Sequence, residues 1–194
     1  MTMTVPNDPF LFFSEFFAHQ FDEDKRFPRA DMHGAAVFQV FDEGVWNFRV
    51  KNATLAVSEG MPEDTVLQIG VTRETFQTLF VTRTQQEINK KGAPSEGSKS
   101  VFLPLFFNEA KRRIALGSHE TLRMRVRFEG EQHEVLLTPG HGAPTAPRAT
   151  VSLGLEDFMA MAAGKKKAPF LFLRGKLKVA GDIKYALRMN QLLG

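Results

Sequence analysis

The sequence contains no cysteine and only one tryptophan and one tyrosine among 194 residues. Without thiols there is no disulfide framework and no thiolate chemistry, a composition that suits a reducing compartment. No apolar run reaches the roughly 20 residues that a bilayer-spanning helix needs. The start, Met1 to Pro9, has no basic stretch ahead of an apolar one, so a cytoplasmic protein is expected. The last two residues, Leu193-Gly194, do not form a peroxisomal ending.

The motifs of common enzyme classes are also missing. There is no HExxH, no GxSxG elbow, no phosphate-binding GxxxxGK[ST] and no dinucleotide fingerprint. His19, His33, His119, His133 and His141 lack ligand spacing, so no metal site is expected. His133 reads as a solvent-face residue of a strand, and His141, between two glycines, as part of a surface loop. Ser118-His119-Glu120 are chain neighbours, whereas a triad converges from separate elements. Gly164-Lys165-Lys166-Lys167 lacks the earlier glycine and strand of a phosphate loop and reads as a solvated charge run. No catalytic residue is nominated, and neither an enzyme nor a cofactor is expected.

What is present is ordinary in bulk, with 43% hydrophobic and 24% charged residues, enough for a real core. The 19 phenylalanines are not ordinary. Phe adds large apolar area with no polar handle, so it points to a Phe-rich core or to the lining of a lipid cavity. The net charge of +3 is uneven: from Arg148 onward nine Lys or Arg stand against three Asp or Glu. Aromatics interleaved with these cations on a sheet, or a helix-turn-helix, would suggest nucleic acid; neither pattern occurs.

Asp8-Pro9 is a helix start, and Phe10, Phe12, Phe13, Phe16, Phe17 and Phe21 give that helix a broad apolar face. Ala36 to Phe41 and Val45 to Val50 form a hairpin around Gly44. Ala53 to Val57 and Val66 to Val71 add two strands, and Thr72 caps a helix carrying Phe76, Leu79 and Phe80. Thr82 to Ser100 reads as an exposed connection, followed by a second Phe-bearing helix from Leu105 to Leu116 that Gly117 stops. A hairpin from Met124 to Leu137 turns at Gly130, and Thr138 to Pro147 is a long turn.

The last quarter opens with the alternating strand Thr150 to Leu153, then a helix with Leu155, Phe158, Met159 and Met161 on one face, ending at Gly164. Lys176-Leu177-Lys178-Val179 alternates as a strand with one wet face, Gly181-Asp182 turns the chain, and Asp182 caps a closing helix from Ile183 to Leu193. Met159, Met161 and Met189 suit an adaptable pocket and suit core filling equally.

Phe158, Gly164-Lys165, Phe172-x-x-Gly175-Lys176-Leu177-Lys178 and Gly181-Asp182 before Ala186-Leu187 together resemble the C-terminal half of the sterol carrier protein type-two family. The resemblance implies a non-catalytic α+β lipid carrier whose helices cover an apolar tunnel for fatty acid, acyl-CoA or sterol. It places Phe158, Met161, Phe172, Leu177, Ala186, Leu187 and Met189 in the pocket. Lys165, Lys166, Lys167, Arg174, Lys176 and Lys178 would surround its mouth and meet anionic head groups or, transiently, an anionic membrane surface.

Matching Phe76 to Phe158 sets Leu67, Ile69 and Val71 beside Ala149, Val151 and Leu153, which suggests an internal repeat. The expected fold class is therefore α+β with two sterol-carrier-type units, each a mostly antiparallel sheet covered by helices. Residues 1–83 would form the first, truncated unit, residues 84–99 a linker and residues 100–194 the second unit. The alternative is an accessory or scaffold protein for a lipid-related enzyme partner, with its cavity filled by Phe and no ligand bound.

Overall fold

A computed structural model describes residues 4–23, 33–52, 54–91, 108–117, 119–162 and 165–193. Helix α1 is continuous through Pro9–Leu11, a wider π-helical stretch Phe12–Phe17, and Ala18–Glu23. Asp8 caps it, its Oδ1 accepting the Leu11 N–H at 2.9 Å. In the wide turns Phe12, Phe13 and Phe16 are buried. Strands β1 (Ala35–Val40), β2 (Gly44–Lys51), β3 (Thr54–Glu59) and β4 (Thr65–Val71) follow.

Helix α2 repeats the design of α1, with Arg73–Phe76, a π-helical Gln77–Thr82 and Arg83–Lys91. Thr72 Oγ1 caps it at the Thr75 N–H, 3.2 Å away. Its last part replaces the start of the expected linker: residues 84–91 are helical, with Thr84 and Ile88 buried four residues apart. Gln, Glu and Lys are good helix formers, so their polarity marks a wet helix face here rather than a loop. Residues 92–99 of the linker, the Leu105–Phe107 helix opening, Gly164 and residues 24–32 lie outside the described residues.

The second half holds α3 (Glu109–Leu116), β5 (Leu122–Phe128), β6 (Glu131–Pro139), β7 (Ala149–Gly154), α4 (Leu155–Ala162), α5 (Ala168–Leu173), β8 (Leu177–Gly181) and α6 (Ile183–Leu193). Helix α5 was not expected, because Phe-Leu-Phe-Leu also fits an extended strand. Pro169 in its first turn and the turn at Gly175 make it a helix. The C-terminal stop has the Schellman pattern: Gly175 N–H donates to Phe172 O and Lys176 N–H to Leu171 O, both at 2.9 Å, with Gly175 at φ +67°.

All eight strands join one sheet in the order β3-β2-β1-β4-β6-β5-β7-β8. The architecture is thus mixed α+β, a sheet covered by helices. β1 is antiparallel to β2 and parallel to β4, and β5 is antiparallel to β6 and parallel to β7. Leu67, Ile69 and Val71 face Pro139, Leu137 and Val135 of β6, just as Ala149, Val151 and Leu153 face Gly181, Val179 and Leu177 of β8. In the first half β6 therefore stands where β8 stands in the second.

Cross-strand partners share a face. Phe38, Ile69, Leu137, Leu122 and Ala149 make one row and Val40, Val71, Val135, Met124 and Val151 the next, so a single apolar face runs through both halves. The opposite face carries Arg123, Arg125, Glu134, Ser152 and Lys178. Gln68, also buried, pins the long turn by donating from Nε2 to Gly140 O at 2.8 Å and Gly142 O at 2.7 Å.

Candidate functional site

The apolar face is covered differently in its two halves. In the first, Phe13 lies within 4.6–5.8 Å, ring centre to ring centre, of Phe12, Phe38, Phe48 and Phe76. Phe80 packs on Phe38 and Phe76, and Trp46 is buried beside Phe13. Among the described residues, the paired rings all belong to this half. In the second half the buried hydrophobic side chains among the described residues are Met124, Met161, Met189, leucines, valines, alanines and Tyr185, with Thr121, His133 and Thr138 the buried polar ones.

Of the seven residues expected in the pocket, Met161, Leu177, Ala186 and Met189 belong to this buried cluster, and Phe158 packs against it half-buried. Phe172 and Leu187 do not join them: each is about half exposed, at 50% and 53%. On α6 the buried side is set by Tyr185, Ala186 and Met189, and Leu187 is turned away with Ile183. On α5 the one buried side chain is Leu171, so its neighbour Phe172 faces out.

A polar clamp holds α6 over the sheet. Gly181 has φ +82°, and a Cβ there would lie 2.6 Å from Arg148 O. Asp182 N–H donates to that same carbonyl at 3.1 Å. Asp182 Oδ1 accepts the Tyr185 N–H at 3.0 Å, and Arg148 Nε donates to Oδ2 at 2.7 Å. Arg148 also pairs with Glu120, while the Tyr185 hydroxyl donates to the Glu120 carbonyl. The Tyr185 amide, and then Arg148, hold the Asp182 carboxyl below its ordinary range; Glu120 and Asp182 raise the Arg148 guanidinium.

The predicted cations are distributed unevenly. Asp157, in the first turn of α4, holds Lys166 Nζ at 2.6 Å and Lys176 Nζ at 4.0 Å. Arg174 stacks over Phe170, 4.0 Å from the ring centre. Lys165 and Lys167 are exposed beside α5. Lys178 pairs in register with Ser152, on the face away from the helices, and so stands apart from the other five.

His133 departs from its expected place. It is buried, in register with Val126 on the apolar face, and its Nε2 has no hydrogen-bond partner. Residues two apart in a strand share a face, so Val135 already carried the signal. His119 is exposed, and His141 Nδ1 lies 3.1 Å from Pro62 O. Among the described residues no group of three or more His, Asp or Glu is placed to hold a metal, and no helix is long and apolar enough to cross a membrane.

Residues 107–194 match the SCP-2 sterol transfer family. Hydroxysteroid dehydrogenase-like protein 2 of Rattus norvegicus is 43% identical over 56 residues, which cover 28% of this chain and 10% of that protein. The Xenopus laevis protein of the same name is 41% identical over 56 residues, covering 28% and 13%. The chain thus matches only about a tenth of the length of these relatives. Sterol carrier protein 2 from Yarrowia lipolytica, in its apo form, superposes with a TM-score of 0.37 at 20% identity, covering 44% of this chain and 74% of that one.

Proposed function

We propose, on the premise that residues 107–194 are a domain of the SCP-2 sterol transfer family, that the second half of this chain binds and transfers an apolar ligand without catalysing a reaction. The observation that carries this reading is the unequal filling of the apolar face. Among the described residues, rings in mutual contact occupy the first half, whereas Met and aliphatic side chains predominate in the second, where Met can repack around ligands of varied shape. The ligand class is a fatty acid, acyl-CoA or sterol-like lipid, with its chain beneath α4 and α6 among Met161, Leu177, Ala186 and Met189. Lys165, Lys166, Lys167, Arg174 and Lys176 would hold an anionic head group. The matching registers of β4–β6 and β7–β8 support reading the chain as two sterol-carrier-type units that share one sheet.

Native mass spectrometry after gentle purification, with displacement of a fluorescent fatty acid, tests the reading. The expected result is a bound lipid and displacement at micromolar competitor. A lipid-free protein with no displacement would overturn it. The ring-filled first half favours a second role, as an accessory surface for a lipid-modifying enzyme in the cytoplasm. A stable enzyme partner recovered with lipid-free protein would support that role instead.

A further inference from the structure

We infer that helix α5 is a bilayer-contact tip, which seats Phe172 and Leu173 in the interface of an anionic membrane. Single exposed apolar residues are common on soluble proteins. Here three stand on one six-residue helix: Phe170 is 46% exposed, Phe172 50% and Leu173 84%. Leu171, at 1%, anchors the helix, and the Schellman stop at Gly175 fixes its end, so the tip is a built projection.

The charge around the tip identifies what it meets. Lys165, Lys166 and Lys167 precede it and Arg174 and Lys176 follow it, Lys166 and Lys176 being paired with Asp157. An apolar tip flanked in sequence by five cations, of which Lys165 and Lys167 are exposed, complements a layer that is anionic at its surface and apolar beneath. Arg174, stacked on Phe170, covers part of that ring and keeps its cation at the base of the helix. The cations are shared with the proposed head-group site, but Phe172 and Leu173 lie outside the buried ligand cluster, so loss of vesicle binding with fatty-acid displacement intact separates the two readings.

The test is co-sedimentation with phosphatidylcholine vesicles with and without phosphatidylglycerol. Wild type is expected to pellet with the anionic vesicles and to be released by salt. Phe172→Ser with Leu173→Ser should weaken that binding by about tenfold or more, yet leave fatty-acid displacement and thermal unfolding unchanged. Lys165→Gln with Lys167→Gln should weaken it about tenfold at low salt and little at high salt. In Leu173→Trp, the emission should shift to shorter wavelength on anionic vesicles, over the constant background of buried Trp46. Absence of wild-type binding, full binding by the double-serine variant, or an unshifted emission would each overturn the inference.

Discussion

Arg148 and Asp182 are bound twice over: the Arg148 Nε donates to Asp182 Oδ2 at 2.7 Å, and the Arg148 carbonyl accepts the Asp182 N–H at 3.1 Å. The start of β7 is thereby joined to the start of α6, and the helix that covers the proposed ligand site is held at its N-terminus.

Acid should loosen this joint. The folded Asp182 carboxyl is held below its ordinary range, so its contribution is full above the unfolded carboxylate pKa, about 3.9, and is lost as pH falls through the folded value. Asp64, lowered by Arg49, adds to the same trend. Thermal unfolding followed against pH should show Asp182→Asn less stable than wild type at neutral pH, with the gap closing in strong acid. A gap that persists undiminished in strong acid would contradict the linkage.

Gly181→Ala should be severe for so small a change. The new Cβ would be placed 2.6 Å from a backbone carbonyl at a positive φ, where neither group can yield easily. A loss of about 1–3 kcal/mol in denaturant unfolding is expected. The same exchange at Gly154, where a Cβ meets nothing, should stay within about 0.5 kcal/mol.

Phe76 is fully buried and touches the rings of Phe12, Phe13, Phe38 and Phe80. Phe76→Ala should cost about 3–5 kcal/mol in urea unfolding. Ligand affinity measured under native conditions should scarcely change, because the ring cluster belongs to the half that the proposed ligand does not enter. Met161→Trp should show the reverse, a smaller loss of stability with fatty-acid displacement weakened by crowding of the site.

Because β4 is paired on one side with β1 and on the other with β6, the halves should unfold together. Trp46 fluorescence, a probe of the first half, and far-UV circular dichroism, a probe of both, should give coincident midpoints. Two separated transitions would show that the halves are independent.

Local signals were legible in the sequence because each involves residues within one turn. The Asp8, Thr72 and Asp182 caps and the Gly44 and Gly130 hairpins all have this character. The outward turn of Phe172 and Leu187 depends on which neighbour is buried first, Leu171 or Tyr185, and an apolar stripe does not rank its own members. The pairing of β4 with β6 depends on contacts about 70 residues apart, for which alternation along each strand carries no information. Helix α5 was hidden because a short unbroken apolar run suits a strand as well as a helix.

The place of β6 between β4 and β5 has a consequence for synthesis. When β4 leaves the ribosome its first-half partner β1 is already made, but its other edge faces strand residues that begin about 60 residues later, at Glu131. At about 5–20 residues per second, that wait lasts several seconds. Throughout it a strand that is buried along its whole length in the finished protein keeps an unpaired edge open to any extended chain nearby. The nascent first half is thus the stage at which this chain is most open to wrong strand pairing.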